Sequence, residues 1–272
     1  MANKDAQHGE GALTQEELDN LSEELGFRID SVEGKKYPSS IMLYGEAKVG
    51  KTQLAGSISE VPGYERVLVI DAELGTSTLA HTYPNVKFVS IAPTVRLDGS
   101  LDHSVTIKKL NRLLAAFADP EGTMLKSFDV VIFDTVDTIQ TSMIEYFIEQ
   151  TPQKQATYSV WGLVKKKTLE LLWAFHRLPI LAIFNFHQQL AEDDTSGKSV
   201  ITPSMATSAR DQAASVPDII AHLSVEEDNG VRHRILEVLP SGRRRGGNRF
   251  ESLLNEPIGN PTMAKIYRRL DG

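Results

Sequence analysis

Residues 40–54 read Ser-Ile-Met-Leu-Tyr-Gly-Glu-Ala-Lys-Val-Gly-Lys-Thr-Gln-Leu. An apolar run, Ile41 to Tyr44, ends in Gly45; five loop positions lead to Lys51 and Thr52, and helix-compatible residues continue to Ile58. This is a complete GxxxxGK[ST] phosphate-binding loop in the strand-loop-helix setting it requires. Gly45 and Gly50 let the backbone wrap close to an anion, so that successive N–H groups and a helix N-terminus face phosphate oxygens. Gly45, Glu46, Ala47, Lys48, Val49, Gly50, Lys51, Thr52 and Gln53 are therefore the candidate nucleotide-binding set. Lys51 brings a point charge to the β- and γ-phosphates, and the Thr52 hydroxyl is a candidate Mg²⁺ ligand.

Working outward, the acids that such a loop needs lie at the ends of apolar strands. Glu65 to Asp71 is strongly apolar and is followed by Ala72 and Glu73; Asp129 to Asp134 is four apolar residues between two acids. Strands buried on both faces and ending in acids are typical of a parallel sheet, whose functional residues gather at its C-terminal edge. Asp134 is the best candidate carboxylate for Mg²⁺, and Asp71 a second. Leu178 to Phe186 is a further buried strand, delivering Asn185, His187 and Gln188 to the same edge, where a polar group can report the γ-phosphate to the following loop. That loop, Leu190 to Ser204, reads as mobile.

Around these lie a polar tail over residues 1–12 and a capping box at Thr14 opening a short helix with Leu18, Leu21 and Leu25 on one face. A linker over residues 27–39 follows. Val86 to Ile91 reads as a short strand, and Ser104 to Phe117, Thr138 to Glu149 and Tyr158 to Arg177 as helices. Trp161 and Trp173 in the last of these suit core packing or base stacking. Ala206 to Ala214 reads as a helical turn, and Ile219 to Val225 with Val231 to Val238 as a hairpin turned at Asp228-Asn229-Gly230. Arg243, Arg244 and Arg245, beside glycines, read as a mobile basic segment, and Lys265 to Arg269 as a short surface element.

Composition limits the partners. The chain has 272 residues, 41% hydrophobic and 24% charged, as expected of a globular protein. Its net charge of −7 argues against coating nucleic acid by bulk attraction, so any such binding must use local basic segments. Cys is absent, which removes disulfides, Cys-zinc sites and a Cys nucleophile. The polar start is not a secretory signal, and no apolar run reaches the ~20 residues of a membrane span, so a cytoplasmic protein without membrane contact is expected.

The order P-loop, Asp-x-Glu, Walker B aspartate and polar sensor resembles the RecA-like branch of P-loop ATPases. Val69-Ile-Asp-Ala-Glu73 is similar to the family segment whose glutamate activates water, and Asp134-Thr135 to its Walker B aspartate and following hydroxyl. His187 stands where RecA carries its γ-phosphate-sensing glutamine. Asn248-Arg249-Phe250 is similar to part of the Lys-Asn-Arg-Phe-Gly signature of bacterial RadA, with Gly247 and Glu251 in place of the flanking lysine and glycine. The compact size, the loop with Lys48, and Tyr158-Ser-Val-Trp-Gly162 look most like small phage RecA-like ATPases, some of them single-strand annealing recombinases.

The resemblance implies an α/β RecA-like core: a mostly parallel central sheet flanked by helices, with a C-terminal antiparallel hairpin. It implies a domain over residues 39–255, preceded by the tail, helix and linker of residues 1–38 and followed by a tail element over residues 256–272. It also implies Mg²⁺-dependent ATP hydrolysis acting on single-stranded DNA, in the host cytoplasm if phage-encoded. Glu73, Lys51, His187 and Arg249 are then the catalytic residues, with Gln188 beside His187. Arg249, or one of Arg243 to Arg245, would reach a neighbouring subunit of a homo-oligomer or filament with ATP at its interfaces. The alternative is a nucleotide-switched regulatory or assembly ATPase acting on a protein partner without DNA.

Overall fold

In the computed structural model of the chain the described residues are 14–26, 37–192, 197–206, 209–241, 243–253 and 256–271. The expected tail over 1–12, most of the linker, and Asp193 and Asp194 lie outside them. The chain divides into two units, Met1–Lys36 and Tyr37–Gly272. In the first, helix α1 (Gln15–Leu25) begins at the expected capping box. Thr14 Oγ1 accepts the Glu17 N–H at 3.3 Å, and the Glu17 carboxylate accepts the Thr14 N–H at 2.7 Å. Gly26, at φ 72°, ends it in the left-handed conformation that glycine adopts without steric cost.

The second unit is built on one sheet. Its elements are β1 (Ser40–Gly45), α2 (Lys51–Gly56), β2 (Val67–Asp71), β3 (Lys87–Ser90), β4 (Thr94–Val95), β5 (Leu101–Asp102), α3 (His103–Ala118), α4 (Thr123–Ser127), β6 (Val130–Asp134), α5 (Val136–Glu149) and α6 (Tyr158–His176). They continue with β7 (Leu181–Glu192), β8 (Ser199–Pro203), α7 (Arg210–Ala214), β9 (Ile219–Asp228), β10 (Val231–Glu237), β11 (Gly247–Asn248), β12 (Ile258–Gly259) and α8 (Met263–Leu270). The strand order is β12-β10-β9-β1-β7-β6-β2-β3, parallel from β9 through β3 and antiparallel beyond β9. The fold is α/β, a mostly parallel sheet flanked by helices with antiparallel C-terminal strands.

The alternation of side chains along each strand divides the core in two. Met42, Tyr44, Ile70, Val131, Phe133 and Phe184 point to one face, beneath α3, α5 and α6. Ile41, Leu43, Val69, Ile132 and Ile183 point to the other, with Leu54 of α2. Every residue of β1, β2 and β6 is buried, which is why these strands read as unbroken apolar runs. On the first face, Phe133 stands edge-on to Phe175 of α6 at 4.7 Å between centroids and stacks on Phe184 at 5.5 Å. Truncating a phenylalanine packed this way to alanine costs roughly 3–5 kcal/mol.

The expected C-terminal hairpin is present: β9 pairs parallel with β1, and the turn at Asn229 and Gly230, both at positive φ, leads into antiparallel β10. Three other expectations change. The described part of the 190–204 segment is largely paired, β8 running antiparallel to the end of β7. Residues 243–245 run alongside β8: Ile201 N donates to the Arg243 carbonyl at 2.7 Å and Arg245 N to the Ile201 carbonyl at 3.0 Å. The basic segment is thereby ordered by main-chain pairing. Finally, α8 buries Met263, Ile266 and Tyr267 in the second core face, because its apolar positions recur at helical spacing. The residues set apart as a tail element thus complete the core. Among the described residues, no helix is long and apolar enough to cross a membrane.

Candidate nucleotide site

Parallel register brings the predicted residues to one edge. Gly45 pairs with His187 across β1 and β7, and Asp71 with Asp134 across β2 and β6. From Gly45 the chain passes through Lys48 at φ 64° and Gly50 at φ 106° into α2, whose first amides have no partner within the helix. Gly50 is favoured by its φ, and a Cβ there would lie 2.8 Å from the Arg234 guanidinium, which would have to shift. Lys51 is buried, and its ammonium donates to the carbonyls of Gly45 at 3.1 Å and Glu46 at 2.7 Å. Burial lowers its pKa, opposed by the charges of Asp134, Asp137 and Glu73. A phosphate is the natural further partner for that charge.

Asp134, also buried, accepts Thr52 Oγ1 at 2.8 Å on one oxygen and Asn185 Nδ2 at 2.8 Å on the other. Desolvation raises its pKa, while these two donors hold the carboxylate form against it. A hydroxyl and a carboxylate in contact, at the mouth of a glycine-lined loop, are the hard oxygen donors that Mg²⁺ takes, so Thr52 and Asp134 are the residues that would hold it. Asp71, paired in register with Asp134, is held differently. Its Oδ1 accepts the N–H groups of Glu73 and Gly75, and its Oδ2 accepts the N–H and hydroxyl of Thr76. With both oxygens so engaged, it shapes the turn that presents Glu73.

Glu73 Oε1 accepts the hydroxyls of Thr135 and Thr138, each at 2.6 Å. His187 Nδ1 lies 2.8 Å from Asp137 Oδ2 and 3.5 Å from Glu73 Oε1, and the His187 main-chain N–H donates to Asp137 Oδ1 at 3.0 Å. The hydrogen bond to Asp137 raises the His187 pKa above its ordinary value, against partial burial and Lys51. Glu73, His187, Thr52 and Lys51 border one cavity of about 250 Å³, with Arg234 on its rim. Asp137, Thr138 and Arg234 escaped the sequence reading. The first two carried a faint signal, lying three and four residues after Asp134 in the first turn of a helix; Arg234 carried none, standing in a hairpin far along the chain.

Gln188 leaves this site in another direction. Its amide donates to Glu46 Oε1 at 3.3 Å and accepts from His222 Nε2 at 2.8 Å. His222 is buried, which lowers its pKa, and its Nδ1 lies 3.6 Å from Glu237 Oε2, which pairs with Arg244. A polar chain therefore runs from the phosphate loop to the arginine segment. In that segment Arg245 pairs with Asp211, while Arg249 pairs with Asp218 at 2.8 Å and donates to the Ser215 carbonyl at 3.2 Å. Asp218 also accepts the Ser39 N–H at 2.7 Å, so Arg249 sits at the start of β1. That is ~16 Å from the phosphate loop, from about five strand residues at about 3.3 Å each.

Loop, hydroxyl, strand-end carboxylate and flanking glutamate on a mostly parallel sheet define a P-loop nucleotide-binding domain. Residues 38–250 match the AAA domain family, and the chain belongs to that family. No curated protein matches it. Among solved structures it is similar to the flagellar accessory protein FlaH from Methanocaldococcus jannaschii, at 11% identity and a TM-score of 0.40, over 89% of this chain and 90% of that one.

Proposed function

We propose that the protein is a Mg²⁺-dependent ATPase acting on single-stranded DNA, in recombination or annealing of the kind small phage RecA-like proteins perform. The observation that carries the hydrolytic reading is Glu73, held by two hydroxyls beside the Thr52–Asp134 pair. Lys51 and the loop amides bind phosphate; Glu73 orients and deprotonates the attacking water; His187 faces the γ-phosphate, and Gln188 beside it links Glu46 of the loop to His222. The metal, when bound by Thr52 and Asp134, neutralises charge on the phosphate oxygens. The DNA reading is supported by the polar chain from Glu46 to Arg244 and by the pairing of β8 with residues 243–245, which ties the strand after the sensor to the basic segment. Arg249, too far from its own loop, acts in trans, with ATP at the interfaces of a homo-oligomer.

A second reading, a nucleotide-switched protein acting on a protein partner, is favoured by one observation: Arg244 and Arg245 are each paired with an acid, which reduces the cation open to a phosphate backbone. ATP turnover with and without single-stranded DNA, across a salt series, separates the two. Stimulation that falls with salt supports DNA; turnover unchanged by DNA, without salt-sensitive binding, leaves the protein-partner reading.

A further inference from the structure

Arg234 stands on β10 opposite Val225, two residues beyond the Leu223 that pairs with Gly45. Its Nε donates to the Val49 carbonyl at 3.0 Å, and its guanidinium lies flat against Gly50, where a Cβ would come within 2.8 Å of Nε and Cζ. The strand is pinned at this residue: Arg234 N donates to Asn260 Oδ1 at 3.2 Å, and its carbonyl accepts the Asn260 N–H at 2.6 Å. Arg232, Arg244, Arg245 and Arg249 each pair with a carboxylate, whereas Arg234, among the described residues, pairs with none.

We propose that Arg234 is a phosphate-binding cation supplied by the same chain, a reading that rests on the nucleotide site described above. A guanidinium with one N–H committed to a main-chain carbonyl is fixed in orientation and keeps both terminal nitrogens for oxyanions, which it meets bidentately. The rim of a cavity holding Lys51 and Thr52 is a phosphate position by the geometry of the loop itself. The site therefore has a charge of its own close to the loop, distinct from any arginine that a neighbouring subunit brings.

The test is equilibrium binding of ATP and ADP to the full chain and to Arg234→Gln, with nucleotide-free thermal unfolding of both. Loss of one charged bidentate contact predicts about tenfold to hundredfold weaker ATP binding, with the melting temperature little changed. Unchanged affinity overturns the proposal. Should Arg234→Gln fail to fold, the wild-type chain decides: modification of arginines by phenylglyoxal, mapped by mass spectrometry, is slowed by ATP at Arg234 and not at Arg232, whereas equal rates at Arg234 with and without ATP overturn it. A folded wild-type chain that binds no ATP overturns the nucleotide reading itself, an outcome distinct from failure at Arg234 alone.

Discussion

Asn185 donates its amide to the buried carboxylate of Asp134 at 2.8 Å, from the neighbouring strand of the sheet. One donor thus offsets part of the desolvation that pushes the Asp134 pKa up. Asn185→Leu removes it and leaves the carboxylate with Thr52 alone. The expected loss of stability is about 1–3 kcal/mol, the cost of an orphaned buried polar group, read as a shift in the urea midpoint. Because a folded-state pKa above the unfolded value favours the protonated form, the loss should be smaller at acidic pH and grow as pH rises through the carboxylate range.

Glu73→Gln keeps the shape and the hydroxyl partners but cannot take a proton. Turnover should fall by about 10²–10⁴-fold with ATP affinity little altered. A variant lacking both hydroxyls, Thr135→Val with Thr138→Val, leaves the carboxylate unaimed and should lower kcat more than it raises KM. Wild-type turnover in Glu73→Gln would remove this residue from the chemistry.

The His187 pair with Asp137 gives a pH dependence of definite sign. The raised pKa means that the imidazolium is favoured in the folded protein, flanked by Asp137, Glu73 and Lys51. Its contribution to stability is complete below the ordinary histidine value near 6.5 and is lost as pH rises through the folded value. Any help it gives to phosphate binding is lost over the same upper range. Asp137→Asn removes the main cause of the shift, so the fall in ATP affinity should move to lower pH; an identical pH profile in the variant would exclude His187 as its source.

Arg249 is tied to Asp218 at the opposite end of β1 from the phosphate loop. Arg249→Ala should therefore bind ATP like the wild type but lose DNA-stimulated hydrolysis. Mixing it with Lys51→Ala protein should restore part of that activity, since each lacks what the other supplies. Mixed assemblies that form but stay inactive would count against action in trans.

What was legible in the sequence follows from how locally each feature is encoded. The phosphate loop, the strand-end acids and the parallel type of the strands were readable because each is a contiguous pattern: a motif, or an apolar run with an acid at its end. The turn role of Asp71 was not legible, because position alone cannot show what a carboxylate accepts; four donors from its own turn reach it. Asp137 and Thr138 lay hidden in a helix whose amphipathic pattern reads as packing. The pairing of β9 with β1, the strand formed beside β8, and Arg234 at Gly50 depend on contacts between residues up to about two hundred positions apart, and no local period announces them.

The contact between Gly50 and Arg234 has a consequence for the order in which the molecule is made. The loop that reads as finished at residue 52 borders a strand that leaves the ribosome ~180 residues later. At about 5–20 residues per second that interval is roughly 10–40 s, during which the nascent chain displays the motif without the wall that closes it. Closure of the loop thus waits on the strand that carries Arg234, long after the motif itself has been made.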